Sequence, residues 1–65
     1  MPYVNIKITD ERVNRDQKLK LIQGAIRLFE DVLGKNPATT VVVIDEVDTD
    51  NWGIGGDSVT RLRKR

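Results

Sequence analysis

Apolar and polar side chains alternate over residues 3–8. Val4, Ile6 and Ile8 fall on one side of an extended chain, and the residues between them fall on the other. A period of two over this length predicts a β-strand that is buried on one face. A polar stretch, residues 9–13, follows the predicted strand.

The next segment has the pattern of an amphipathic helix. Asn14 with Gln17 three positions later forms a capping box, which marks the start of a helix. Gly34, with Pro37 just beyond it, places the end of the helix near Leu33. Between these ends the apolar residues recur at three- and four-residue spacing. They are Ile22, Ala25, Ile26, Phe29, Val32 and Leu33. Further leucines at 19, 21 and 28 widen the apolar stripe, so we expect a second contact surface.

Residues 40–44 form a continuous run of β-branched side chains, typical of a parallel strand covered on both faces. Strand, helix and strand together predict one β-α-β unit of the α/β (α+β) class, with a right-handed crossover. Residues 52–56 predict a glycine-rich turn or hairpin, and residues 58–62 a short last strand. Because a two-stranded sheet is too small to be stable alone, the unit needs additional packing.

The chain has 65 residues and a mass of 7.4 kDa, which allows one domain, residues 1–65. A chain of this size buries only about 60% of the surface that its unfolded form exposes. It has no Cys and no His, which excludes disulfides, Cys- or His-based metal sites, Ser-His triads and thiol nucleophiles. Self-association is therefore the expected source of a core.

Charge is balanced overall but not along the chain. Residues 1–60 carry 7 basic and 10 acidic side chains, a net charge of −3, while residues 61–65 carry four basic ones. We interpret the basic end as a solvated tail and expect no nucleic-acid partner, which would need a broad basic patch. No membrane span or signal peptide is predicted, so the cytoplasm is the default location.

The acidic residues at 45, 46, 48 and 50 suggest a cation loop, but the spacing fails. An EF-hand needs Gly at its sixth position and Glu at its twelfth. Counted from Asp48, Gly53 is sixth but Val59 is twelfth. Nor do the glycines at 53, 55 and 56 open a helix directly after a strand, as a dinucleotide site requires. We expect no metal and no cofactor.

Pro2 is the residue with the most specific chemistry. Initiator methionine is usually removed when proline follows it, and the mature chain would then begin with a secondary amine. An apolar pocket near cations disfavours the charged form of such an amine and lowers its pKa toward neutrality. A group of that kind can act as a base at neutral pH.

In combination these features resemble the 4-oxalocrotonate tautomerase family, over nearly the whole chain. The shared pattern comprises Met1-Pro2 before a strand, a helix after a polar loop, a Val/Ile strand running into residues 45–47, and the segment 52–57. The resemblance implies a tautomerase (MIF-like) fold assembled as a homohexamer, a trimer of dimers. It also implies cofactor-free keto–enol tautomerisation of unsaturated 2-hydroxy or 2-oxo acids, such as 2-hydroxymuconate-like or arylpyruvate-like substrates.

Carried onto this sequence, the resemblance makes Pro2 the general base and acid. Trp52 stands where the family usually has a phenylalanine that walls the pocket; a hairpin anchor is the alternative role. Arg12 stands where the family binds a substrate carboxylate, with Arg15 as the alternative. Val41 replaces a second family arginine.

Arg61 or Arg63, arriving from another subunit, would be candidates to compensate for Val41. That replacement and the basic tail also leave open a second function, a non-catalytic oligomeric binding module that keeps the fold but has lost turnover.

Overall fold

The computed structural model describes residues 1–64. Its elements in order are β1 (Tyr3–Thr9), α1 (Arg15–Leu33), a 3₁₀ turn (Pro37–Thr39), β2 (Val41–Val47), a second 3₁₀ turn (Thr49–Asn51), β3 (Gly53–Ile54), β4 (Asp57–Ser58) and α2 (Val59–Leu62). Within the described residues, no helix is both long and apolar enough to cross a membrane.

Strands β1 and β2 are parallel and in register over their whole length, from Tyr3 beside Val41 to Thr9 beside Val47. The ladder continues at the start of β1, where the Val41 amide donates to the Pro2 carbonyl at 3.0 Å. Helix α1 makes the crossover between the strands. The predicted β-α-β unit with parallel strands is confirmed.

Helix α1 begins and ends where its caps place it. The Asn14 side chain accepts from the Gln17 amide at 2.8 Å, and the Gln17 side chain accepts from the Asn14 amide at 3.0 Å. Gly34 adopts the left-handed conformation with φ 65°, and its amide donates to the Glu30 carbonyl at 2.9 Å. The capping box and the glycine C-cap are both confirmed.

The second strand runs further than the β-branched pattern predicts, to Val47 rather than residue 44. The extension includes two acidic residues, and each is paired with a cation from another element. Asp45 binds Lys7 of β1, and Glu46 binds Lys18 of α1. These ion pairs allow carboxylates to continue the strand.

The chain beyond residue 52 forms a hairpin and a helical turn. Strands β3 and β4 pair antiparallel, with Gly55 and Gly56 at positive φ in the turn. The prediction of a last strand over residues 58–62 is wrong. The Ser58 hydroxyl accepts from the Arg61 amide at 3.2 Å, so Ser58 caps the helix α2 and the strand ends there.

One face of the sheet is covered by α1, as the contact between Lys18 and Glu46 shows. Paired residues of parallel strands share a face, so the other face holds the odd-numbered residues of both strands. We call this the open sheet face. It includes Tyr3, Val41 and Val43, whose exposures are 64%, 41% and 37%. These three side chains are exposed although the sequence of β2 is typical of a strand covered on both faces.

The apolar stripe of α1 is also wider than the sheet that it covers. The exposed members are Leu19, Leu21, Leu28, Val32 and Leu33. Leu28, Phe29, Val32 and Leu33 line a shallow apolar cavity of about 300 Å³. The single chain therefore exposes an apolar surface on α1, where the sequence predicts a second contact.

The dimensions of the chain show how little core it has by itself. Val59 is the one apolar side chain among residues 1–64 that is buried. The radius of gyration is 15.0 Å, against about 11 Å for a compact chain of this length. The accessible surface is 5153 Å², against about 4200 Å² for a compact monomer of this mass. Both values are consistent with self-association.

Candidate active site

A groove of about 580 Å³ lies beside the end of β1 and is here called the Trp52 groove. Its walls are apolar and consist of Ile8, Trp52, Ile54, Val59 and Leu62. Its rim is polar and consists of Lys7, Thr9, Glu11 and Arg63. The volume and the combination of apolar walls with few polar groups suit a small organic ligand.

Trp52 is held in place by the C-terminal segment. Its carbonyl accepts from the Val59 amide at 2.8 Å, which ties the start of the hairpin to α2. The Thr49 and Thr60 hydroxyls form a hydrogen bond of 2.6 Å between the preceding 3₁₀ turn and α2. The backbone of Trp52 thus anchors the hairpin while its side chain lines the groove, so the two roles considered for this residue are compatible.

Arg63 and Glu11 form an ion pair across the rim of the groove. Arg63 Nη2 donates to Glu11 Oε1 at 2.6 Å and lies 3.5 Å from the Thr9 hydroxyl oxygen. The Thr9 hydroxyl donates to Glu11 Oε1 at 2.8 Å. These hydrogen bonds, from Thr9 and then from Arg63, hold the pKa of Glu11 below its usual range. Glu11 is therefore ionised at neutral pH.

Lys7, the other cation of the rim, is turned to the open sheet face. Its Nζ donates to Asp45 Oδ2 at 2.9 Å, and Asn5 Nδ2 donates to the same oxygen at 2.8 Å. The bond to Lys7 lowers the pKa of Asp45 and raises that of Lys7. Asp45 is not part of the groove lining. The charge of Lys7 is thus balanced by a carboxylate outside the groove.

Arg12 is exposed and lies outside the lining of the Trp52 groove, directly after Glu11 in the loop that follows β1. It has a φ of 61°, the one positive φ among the described non-glycine residues. Such strain is concentrated at functional sites. Within residues 1–64, Arg12 forms no ion pair, so its guanidinium is available to an anion. Arg15, the alternative, is the exposed first residue of α1.

Pro2 lies just before β1, and its nitrogen is joined to Met1, which is 92% exposed. Ile8 of the groove wall is six positions after Pro2, so at about 3.3 Å per residue about 20 Å of strand separates the two. Reacting groups must approach to about 3.5 Å. One chain therefore does not bring Pro2 and the groove together.

The remaining residues singled out from the sequence lie apart from one another. Val41 pairs with Tyr3 at the Pro2 end of the sheet and adds no charge there. Arg61 Nε lies 3.3 Å from Asp57 Oδ1, away from the groove lining. Arg63 reaches the groove from the same chain as Trp52. The basic tail is thus partly ion-paired rather than only solvated, and its last residue, Arg65, lies outside the described residues.

The acidic residues that suggested a cation loop have structural partners. Asp45 and Glu46 are paired with lysines, and Asp48 accepts from the Asp50 amide at 2.9 Å as a cap of the 3₁₀ turn. Among residues 1–64, no three or more acidic side chains converge in a way that would hold a metal ion.

The Glu11–Arg63 pair of the groove rim is not indicated by the sequence pattern. The two residues are 52 positions apart, and no periodicity links them. One feature of the sequence could have pointed to Arg63. Val41 stands where the family has a second arginine, and Arg63 is a basic residue near the C-terminus that could replace that charge.

Comparisons with known proteins agree with this architecture. The family described as "Tautomerase enzyme" matches residues 2–62. The probable tautomerase K2 of Dickeya dadantii is 63% identical over 65 residues, which cover 100% of this chain and 97% of that protein. The crystal structure of DmpI from Helicobacter pylori has a TM-score of 0.90 and 45% identity, covering 98% of both chains.

A heterohexameric 4-oxalocrotonate tautomerase from Chloroflexus aurantiacus has a TM-score of 0.85 and 25% identity, covering 97% of this chain and 100% of that one. Solved structures of similar fold thus include an oligomeric tautomerase. The match over residues 2–62 and the extent of these identities show that the chain belongs to the tautomerase family, as a relative of 4-oxalocrotonate tautomerase.

Proposed function

We propose that the protein is a cofactor-independent isomerase that interconverts enol and keto forms of unsaturated 2-hydroxy and 2-oxo acids, with Pro2 as general base and acid. Candidate substrates are 2-hydroxymuconate-like and arylpyruvate-like acids. The observation that carries the proposal is the position of Pro2, directly behind an exposed Met1, in a chain of the tautomerase family. Removal of Met1 would free the Pro2 amine.

In the proposed reaction the neutral Pro2 nitrogen accepts the proton of the 2-hydroxyl group. The oxygen lone pair forms the carbonyl, and the displaced π-electrons move to a carbon further along the conjugated acid. The protonated amine then returns its proton to that carbon. No atom is gained or lost, and the Pro2 amine is neutral before and after the reaction, so the isomerisation requires no co-reactant.

The proposed site is built from more than one chain, with Pro2 of one chain facing the Trp52 groove of another. The apolar walls of that groove would keep the amine neutral, because burial disfavours its charged form. Arg12, with its unpaired guanidinium, would bind the substrate carboxylate.

We propose a homohexamer, a trimer of dimers, as the assembly that brings these groups together. The open sheet face and the exposed leucines of α1 support it, as does the hexameric relative with the same fold.

Ketonisation of 2-hydroxymuconate and of enolised phenylpyruvate by the mature protein tests the proposal. Loss of a general base usually lowers the rate by about 10²-fold or more, and we expect that loss for Pro2→Ala. Pro37→Ala is the matched control, because it alters the chain's other proline, in a 3₁₀ turn away from the groove. Equal activity of the Pro2→Ala and wild-type proteins would overturn the proline mechanism.

The alternative of a non-catalytic binding module rests on Val41, which supplies no charge at the Pro2 end of the sheet. In a chain that keeps Met1, the Pro2 nitrogen is an amide and cannot act as a base. Intact mass separates the two functions. A mass without methionine is expected for the enzyme, and quantitative retention of Met1 would favour the binding module.

A further inference from the structure

The charges on the rim of the Trp52 groove are not equally available to a ligand. Lys7 and Arg63 oppose a single carboxylate, Glu11, in the lining. Lys7 is balanced by Asp45, which lies on the open sheet face. Of the two cations in the groove lining, Arg63 is therefore the one that a second carboxylate of a ligand could reach, and Glu11 is the group with which that carboxylate would compete.

The contact between Arg63 and Glu11 is of a kind that a ligand can replace. Their side chains are 51% and 54% exposed, and ion pairs at such exposure contribute little to stability. Both contacts of the guanidinium in this cluster, to Glu11 and to Thr9, use the single nitrogen Nη2. The two-pronged geometry that arginine offers to a carboxylate is thus unused. A carboxylate held against the apolar walls could engage it.

We propose that Arg63 binds a carboxylate of the substrate in the Trp52 groove, and that Glu11 occupies Arg63 when the groove is empty. This inference rests on the proposed function, in which Arg12 binds the first carboxylate. With Arg63 as a second cation, the site selects dicarboxylates over monocarboxylates. Glu11 lowers the affinity of the site for such a ligand, since the ligand must displace Glu11 from Arg63. The compensating arginine then comes from the chain that supplies Trp52, which neighbours the chain that supplies Pro2.

Arg61 provides a matched control for Arg63. The two residues lie in the same short segment and carry the same side chain. Arg61 pairs with Asp57, four residues earlier, and does not line the groove. Replacing either arginine with alanine removes one positive charge from the chain's C-terminal segment, but only Arg63→Ala removes a charge from the groove.

Trp52 allows binding to be measured without turnover, because it is the chain's one tryptophan and it lines the groove. The probes are adipate, a saturated six-carbon dicarboxylate, and hexanoate, the monocarboxylate of the same length. Tryptophan fluorescence is titrated with each probe in wild type, Arg63→Ala, Arg63→Lys, Arg61→Ala and Glu11→Gln. Sedimentation of each variant checks that its assembly is unchanged.

We expect wild type and Arg61→Ala to bind adipate more tightly than hexanoate. Loss of a charge-assisted hydrogen bond should weaken adipate binding by Arg63→Ala about tenfold or more and leave hexanoate binding unchanged. Arg63→Lys should recover part of the loss. Glu11→Gln should strengthen adipate binding a few-fold, and should have no effect when combined with Arg63→Ala.

The inference is overturned if Arg63→Ala binds adipate as Arg61→Ala does, or if wild type does not distinguish the two probes. Failure of the proposed function has a different signature. In that case Pro2→Ala ketonises 2-hydroxymuconate as wild type does, while the dependence of adipate binding on Arg63 persists.

Discussion

Pro2 and Trp52 lie at opposite ends of the parallel pair β1 and β2. Pro2 precedes β1, and Trp52 lines the groove at the end of that strand together with Ile8 and Thr9. Because the strands are parallel, the segment that follows β2 is brought to the far end of β1 from Pro2. The distance is about 20 Å along the strand. The proposed base and the proposed pocket must therefore come from different chains.

The open sheet face gives the first prediction. Val43 lies at its centre and is 37% exposed in the single chain. Val43→Glu should disrupt self-association, because it would bury an unpaired carboxylate wherever another chain covers this face. Sedimentation should show a smaller species, and ketonisation activity should be lost with it. Gln23→Glu, which places the same charge on the exposed side of α1, should assemble as wild type does. A full-sized Val43→Glu assembly would show that this face is not the interface.

The backbone conformation of Arg12 gives the second prediction. A left-handed conformation costs a non-glycine residue about 1 kcal/mol or more, and glycine adopts it freely. Arg12→Gly should therefore unfold at a higher temperature than Arg12→Ala, by an amount equivalent to about 1 kcal/mol. Thermal denaturation at equal protein concentration measures the difference. Both variants should bind substrate more weakly than wild type. Equal stability of the two would mean that the strain at Arg12 is absent in solution.

The Lys7–Asp45 pair gives a prediction on pH. The pKa of Asp45 is lowered, so the stability contributed by this group is present above its ordinary pKa and is lost as pH falls through the lowered value. Unfolding measured below about pH 4 should show this loss in wild type. Asp45→Asn should be less stable at neutral pH, and its free energy of unfolding should fall less steeply as the pH is lowered. Asp31→Asn is the control, because it alters an exposed carboxylate with no ion pair within residues 1–64. Its free energy of unfolding should change with pH as steeply as that of wild type.

The parts of the fold that depend on residues close together along the chain could be predicted from the sequence. The Asn14–Gln17 capping box and the Gly34 cap lie within a few residues of what they cap. The β-branched run does not indicate the end of β2, because Asp45 is held in the strand by Lys7, which is 38 residues away. The pattern of residues 58–62 likewise does not indicate the hydrogen bond from the Val59 amide to the Trp52 carbonyl, which joins α2 to the start of the hairpin.

The candidate site, too, could be predicted from the sequence only in part. Pro2 and Trp52 could be selected from their chemistry and from the family pattern. Their placement at opposite ends of one sheet follows from the parallel pairing of β1 with β2. The Glu11–Arg63 contact required the position of α2, which no periodicity in the sequence specifies.

Mixing two inactive variants tests the central claim, a proline base acting in a groove of another chain. Pro2→Ala and Arg12→Ala are unfolded together in equal amounts, refolded and assayed for ketonisation. If each site takes Pro2 and Arg12 from different chains, random assembly of a symmetric oligomer should restore about one quarter of the wild-type sites. Each variant refolded alone should remain inactive. A mixture no more active than the separately refolded variants would contradict a site shared between chains.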